Sequence, residues 1–383
     1  MSNGWETVPL GKILRRVKTE IDLDDEVIYK QVTVRLWNKG VVLRGKKQGG
    51  NIKTKRQFLV KDGQLLLSRI DVRNGAIGIV PKELDGAIVS NDFWVYNFDE
   101  INIYPEFLAL YAKTPRFIDD ANRTSSGTTK RIRATEEAFL KINVPLPPMA
   151  QQRQIVTHIK ALATKVIKAQ HLREESEEEI ARMLHSAFSK ISSNANHLLM
   201  AEVAPLIRRP VIVDVEKDYL ELGVRSFGKG TFHKPALNGA DVGTKKLFYI
   251  EPDDLVFSNV FAWEGGIAVA KQIDKGRVGS HRFITCVPKT GVATAKYLCF
   301  YFLTQEGLEK IGVASPGGAG RNRTLGLQAL ANIEVPVPDY DKQVWFDGLQ
   351  AKVKALRELQ FASGEELSAL MPSVLDKAFK GEL

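Results

Sequence analysis

Up to residue 147 the apolar positions fall into short runs, Val27-Ile-Tyr29, Val32-Thr-Val34, Gln64-Leu-Leu-Leu-Ser68 and Gly75-Ala-Ile-Gly-Ile-Val80, with turn-forming residues between them. Runs of this kind predict strands. From Pro105 to Lys113 the pattern is helical, with Phe107, Leu108, Leu110 and Tyr111 on one face, and Thr114-Pro115 ends it. Residues 193–338 repeat the order through Val256-Phe257, Gly266-Ile-Ala-Val269 and Tyr297 to Leu303. Beyond each of these stretches the period changes to about 3.5–3.6. Ile155, Ile159, Leu162, Val166, Ala169, Ile180, Met183, Leu184, Ala187 and Phe188 make one stripe, and Phe346, Leu349, Val353, Leu356, Leu359, Leu367, Leu370 and Val374 the other.

The expected fold class is therefore α+β (mixed α/β): two similar domains, residues 1–147 and 193–338, each followed by a long helix, residues 148–192 and 339–383. Each domain leaves through a proline tag, Val144-Pro-Leu-Pro-Pro148 or Val335-Pro-Val-Pro338. Missing N–H groups and fixed φ are expected to keep these tags out of sheet and helix interiors. Gly364 and Pro372 are expected to break or kink the second helix, and Ser192-Ser-Asn-Ala-Asn196 to link the halves. The run Glu174-Glu-Ser-Glu-Glu-Glu179 reads as a solvated face. A helix of ~40 residues is ~60 Å long, more than a small core covers. The economical solution, and the expected one, packs the two stripes together as an antiparallel coiled coil with an internal pseudo-two-fold and the domains at opposite ends; the alternative is that each helix folds back on its own domain.

The two halves are copies. Val34-Arg35 recurs as Val224-Arg225, Leu65-x-x-Ser68 as Leu255-x-x-Ser258, Gly75-x-Ile77 as Gly265-x-Ile267 and Ser90-x-x-Phe93 as Ser280-x-x-Phe283, always 190 residues on. After one slipped residue Val144-Pro-Leu-Pro147 matches Val335-Pro-Val-Pro338. Identity concentrates at Gly, Pro and apolar positions. The polar positions differ: Ser68-Arg-Ile-Asp-Val-Arg-Asn74 faces Ser258-Asn-Val-Phe-Ala-Trp-Glu264. One scaffold carries two recognition surfaces.

Composition narrows the chemistry. The 383 residues hold 54 Lys and Arg against 45 Asp and Glu, a net +9 that biases the chain toward a polyanion. Cys286 and Cys299 form no C-x-x-C pair, and the histidines show no metal-ligand spacing, so no metal or disulfide framework is expected. The opening Met1-Ser-Asn-Gly-Trp-Glu lacks an apolar signal core and no run is long enough for a membrane span, which points to the cytoplasm. A P-loop, a cofactor-binding glycine turn and an Asn/Asp-Pro-Pro-Tyr/Phe loop are all missing.

What remains is a basic, glycine-flanked loop in each half. Ser125-Ser-Gly-Thr-Thr-Lys-Arg-Ile-Arg133 matches Ser315-Pro-Gly-Gly-Ala-Gly-Arg-Asn-Arg323. Arginine grips phosphate bidentately or reads guanine, and small residues let the backbone approach a phosphate. The candidate DNA contacts are Arg35, Arg69, Arg73, Asn74, Lys130, Arg131 and Arg133 in the first half. In the second they are Arg225, His281, Arg282, Arg321, Asn322 and Arg323. A structural salt bridge is the competing role for the arginines.

With these residues in place the chain resembles the specificity subunit of a type I restriction-modification system. The tag Pro145-Leu-Pro-Pro-Met-Ala-Gln-Gln-Arg-Gln-Ile155 is similar to that family's proline-rich helix entrance, and Pro336-Val-Pro-Asp-Tyr-Asp-Lys-Gln343 is a more degenerate copy. The Ser-Gly-Thr-Thr-Lys-Arg loop and the ending Ala378-Phe-Lys-Gly-Glu-Leu383 also fit. The resemblance implies a non-catalytic reader of a split, asymmetric DNA target, with the helices as spacer. It implies two methylation subunits carrying S-adenosylmethionine, and two translocase-nuclease subunits using ATP and Mg. Candidate partner contacts are Pro145, Pro147, Gln152, Ile155, Ile159, Pro336, Pro338, Gln343 and Phe346. Two other readings of the residues stay open: a two-domain protein-binding adaptor, and the recognition subunit of another split methyltransferase-nuclease.

Overall fold

The computed structural model describes residues 4–126, 133–317 and 323–382. It divides into two compact units, Met1–Arg173 with Phe361–Leu383, and Glu174–Gln360. In the first, five short strands assemble in the order Glu20–Ile21, Gln57–Leu59, Ile88–Ser90, Ile28–Val34, Val41–Gln48. Gln31 sits opposite Ile88 in its one parallel pair, and the rest is antiparallel. A second sheet, Leu14–Val17, Phe93–Phe98, Leu65–Ser68, Ile77–Ile79, buries its apolar run completely at Leu65–Ser68. Helices Pro105–Tyr111 and Pro115–Arg123 cover it. Thr114 ends one helix pattern by starting the next, its Oγ1 accepting from the Phe117 amide.

The second unit repeats this plan. Thr231–Asn238, Asp218–Val224, Arg277–Ser280 and Leu247–Ile250 form one sheet, with Glu221 opposite Val278 as its parallel pair. Ile267–Val269, Leu255–Ser258 and Phe283–Cys286 form the other. Helices Ala295–Phe302 and Gln305–Val313 close it, and Thr304 caps the second of them as Thr114 does.

The long helices are Met149–Ser192 and Tyr340–Lys380. In the first unit Ile155, Ile159 and Leu162 share a core with Met371, Val374, Ala378 and Phe379, and the Arg173 guanidinium reaches Ser363 Oγ at 3.3 Å. In the second unit Leu184 and Phe188 share a core with Phe346 and Val353, and Arg357 Nε donates to Glu177 at 2.9 Å. Within each unit the residue numbers rise along one helix as they fall along the other, so the segments run antiparallel and neither helix belongs to one domain alone.

Three expectations are corrected. The tags are not outside the sheets: Asn143–Leu146 pairs with Glu6–Pro9, placing Pro145 opposite Thr7, and Glu334–Val337 pairs with Asn196–Leu199, placing Pro336 opposite His197. An antiparallel strand with one neighbour donates only every second N–H, which leaves room for proline. Second, the expected break is absent, Tyr340–Lys380 continuing as one helix through Gly364 and Pro372. Met371, Val374 and Leu375 pack into the first unit's core around Pro372, and that packing offsets the lost backbone hydrogen bond. Third, Leu356, Leu359 and Leu370 are exposed although they lie on the predicted stripe: Leu356 and Leu359 lie past Val353, the last residue of this helix in the second unit's core, and at Leu370 the buried face is the one carrying Met371 and Val374. Among the described residues no helix is long and apolar enough to cross a membrane.

Candidate nucleic-acid interface

In the first unit the strands Ile28–Val34 and Val41–Gln48 meet at a hairpin closed by the Arg35 amide donating to the Gly40 carbonyl at 2.9 Å. At its tip Trp37 and Asn38 hold φ of 60° and 54°. Left-handed backbone is uncommon for non-glycine residues and costly for bulky ones. Two hydrogen bonds from outside the hairpin impose it: the Trp37 amide donates to Asn74 O (2.7 Å) and the Asn38 amide to Gly75 O (2.9 Å). Gly75 has φ 72°, and a Cβ there would sit 2.9 Å from Asn38 Nδ2, so glycine is required on both counts.

The same bonding gathers the other loops. The Arg69 amide donates to Asp92 O and the Ala134 amide to Arg69 O, both at 2.9 Å. Arg35, Arg69, Arg73, Asn74 and Arg133 thus share one edge of the unit, with Arg35 and Arg133 exposed. Arg133 pairs with Asp92 at 3.3 Å, but both side chains are nearly half exposed, so the pair is worth at most ~1 kcal/mol and leaves the guanidinium available. Arg69 lies over the Trp94 ring at 5.5 Å, and its Nε has no hydrogen-bond partner among the described residues. Lys130, Arg131, Arg321 and Asn322 lie outside the described residues.

The second unit repeats the backbone bonding with other side chains. Arg225 N donates to Gly230 O, Phe227 N to Glu264 O, Gly228 N to Gly265 O, Asn259 N to Arg282 O and Leu325 N to Asn259 O, all at 2.8–2.9 Å. Phe227 (φ 61°) replaces Trp37, Asn259 replaces Arg69, Trp263 replaces Arg73 and Arg282 replaces Asp92. Arg323 stacks over Trp263 at 5.2 Å and Arg225 over Phe232 at 5.1 Å. Arg225, His281, Arg282 and Arg323 are exposed.

Sequence reasoning passed over the tips themselves and the most basic stretch of the chain. From Val27 to Lys61 there are ten Lys or Arg and no acid. Arg44, Lys47 and Lys53 line a cleft with Gln31, Gln57 and Phe93. The corresponding places in the second unit hold Lys234, Leu237 and Gly243, with Glu221, Leu247 and Phe283, and Lys234 is 4.0 Å from Glu221. Burial pushes the thiols of Cys286 and Cys299 up to about 12, so neither is a thiolate near neutral pH.

The residues expected to meet partners lie elsewhere. Pro145, Pro147, Gln152, Ile155, Ile159, Pro336, Pro338, Gln343 and Phe346 are all buried inside their own units. Gln152, 0% exposed, is a clasp: Oε1 accepts from Tyr104 N at 2.8 Å, and Nε2 donates to Asn102 O at 2.9 Å and Pro147 O at 2.8 Å. Gln343 does the same for Thr294 N, Val292 O and Pro338 O at 3.1, 2.9 and 2.8 Å. Each glutamine ties a tag, a domain loop and the first turn of a long helix together, with both amide N–H groups used and the side chain fully buried, so it presents nothing to a partner.

Comparison with known proteins places this architecture. The family model for the type I restriction modification DNA specificity domain matches residues 2–178. The specificity subunit of the type I restriction enzyme HindI from Haemophilus influenzae is 28% identical over 171 residues, which are 42% of this chain and 36% of that protein. The chain thus aligns with little more than a third of that relative's length. The HsdS subunit from Thermoanaerobacter tengcongensis superposes with a TM-score of 0.70 at 21% identity, covering 100% of this chain and 98% of that one. A chain solved in work on complex assembly and conformational transition of the type I restriction-modification system gives 0.72 at 20% identity, covering 100% and 99%. The first copy of the internal repeat thus matches the type I restriction modification DNA specificity domain, and the chain over its whole length has the fold of the HsdS subunits.

Proposed function

We propose that this chain is the non-catalytic DNA-reading subunit of a type I restriction-modification enzyme, each unit reading one part of a split, asymmetric target. The observation that carries the reading is the repeated loop cluster: one frame of backbone hydrogen bonds, presenting cations in both units and different polar side chains in each. A shared frame with unlike side chains is what two unlike half-targets require. The long helices act as spacer between the half-targets. Methylation subunits with S-adenosylmethionine, and translocase-nuclease subunits with ATP and Mg, supply the chemistry. Their docking surfaces are drawn from exposed apolar residues of the helices, Ile167, Leu172 and Phe361 in the first unit and Trp345, Leu356 and Leu359 in the second, rather than from the buried tag residues.

The test is the affinity of the full chain for duplex DNA across a salt series. Each phosphate neutralised contributes about −0.9 to the slope of log affinity against log salt, so several contacts give a steep fall. Binding that ignores salt, or no binding to DNA, would leave the protein-adaptor reading.

A further inference from the structure

We infer that Trp37 and Phe227 are wedges, each ring stacking on a nucleobase at a distorted step of the half-target that its own unit reads. The inference rests on the DNA-reading function and specifies a contact within it. Trp37 is 70% exposed and Phe227 73%, at the same place in two copies of the fold. Neither ring is used by its own core. Glycine would adopt φ near +60° without strain, yet both copies put a large aromatic there. Strained positions of this kind cluster at ligand contacts. Two hydrogen bonds fix the backbone of each tip to the neighbouring turn, so the point from which the ring projects is held in place.

The surroundings choose the occupant. Arg35 and Lys39 flank Trp37, Arg225 and Lys229 flank Phe227, and all four are exposed. The first hairpin carries Arg44, Lys46 and Lys47 on its returning strand. An apolar partner protein would be poorly matched by a ring set among cations. A nucleic acid supplies phosphates for the cations and a π-face for the ring. A two-stranded ribbon fits the major groove, and apolar side chains inserted at a base step partly unstack it. A base that a partner subunit is to modify must leave the stack, and a wedge beside it lowers that cost.

The experiment uses the full chain and short duplexes that it selects from a random-sequence pool, with 2-aminopurine replacing each adenine in turn. Wild-type chain should raise the emission at one position in each half-target. Trp37→Ala should abolish the signal in one half only, Phe227→Ala in the other, and each should weaken binding by about 5- to 150-fold, the range for losing one base stack. Trp37→Phe should retain most of the affinity, which separates the ring from the fold. Unchanged thermal midpoints should show that the alanine variants are intact. Salt-sensitive binding with no emission change and no loss in the alanine variants overturns the wedge and leaves the DNA-reading function standing. Selection that returns no duplexes overturns both. If Trp37→Ala spares DNA binding but weakens capture of a methylation subunit, the tip is a protein contact and the wedge is wrong.

Discussion

Gln152→Leu tests the clasp that joins the first domain to its helix. The replacement has similar bulk but offers no polar atoms, so Tyr104 N–H, Asn102 C=O and Pro147 C=O lose their partner together. A buried backbone group left unpaired costs about 1–3 kcal/mol. Only the Pro147 bond is fully buried, and water can reach the groups at Tyr104 and Asn102 in part, so the three together give about 2–6 kcal/mol, a large share of the ~5–15 kcal/mol that holds a domain folded. Hydrogen exchange of the full chain resolves the effect by region. Peptides from the Tyr96–Tyr111 region should lose protection by the equivalent of that energy, while those from Cys286–Tyr301 keep theirs. Gln343→Leu should show the reverse. Gln152→Glu should cost nearly as much, because a carboxylate cannot donate to two carbonyls. A uniform loss below about 1 kcal/mol, or normal stability with failed capture of a methylation subunit, would refute the clasp and restore the glutamines as partner contacts.

Three further outcomes follow from the geometry. Burial raises the Asp347 carboxyl to about 6, with Asp253 adding to the rise, while Thr294 and Lys296 pull it down; Val156 occupies the matching place in the first unit. Its folded value lies above that of an unfolded aspartate, so its stabilising contribution is complete below about pH 4 and is lost as pH rises through about 6. Asp347→Asn should therefore leave denaturation unchanged near pH 4 and stabilise the second unit by about 1–2 kcal/mol at pH 8, after allowance for solvent screening; equal effects at both pH values would contradict this. Arg133→Ala should change stability by less than about 1 kcal/mol, since its pair with Asp92 is exposed, yet weaken binding to one half-target by about 1–3 kcal/mol. Equal weakening of unrelated sequences in a competition assay would make it a phosphate contact. Inserting about one helical turn, ~4 residues, into both long helices should lengthen the unread spacer by one or two base pairs, as selected duplexes would report.

The scaffold was legible in the sequence because glycine, proline and apolar positions carry the turns and cores, and these are the positions that recur 190 residues on. Gly75 and Gly265, both held at positive φ, could be matched without knowing what they touch. The site was legible only in part. Arg35, Arg69, Asn74 and Arg133 could be named, but what unites them is backbone hydrogen bonding between loops distant in sequence. The hairpin tip carried a signal, Val34-Arg35-x-Trp37-x-Lys39-Gly40 against Val224-Arg225-x-Phe227-x-Lys229-Gly230, masked by the change of aromatic. The glutamines misled for a physical reason. The tag's resemblance to a helix entrance singles them out, and a local motif does not show the backbone groups from distant loops that converge on each side chain.

The central claim is that the two units read two unlike words of one target. Methylome sequencing of cells carrying this chain with a methylation subunit tests it most directly. The account predicts modified adenines within two short, different sequences separated by unspecified bases, and an Arg323→Ala strain in which one word relaxes while the other is unchanged. A continuous motif, a palindrome, or relaxation of both words together would contradict it.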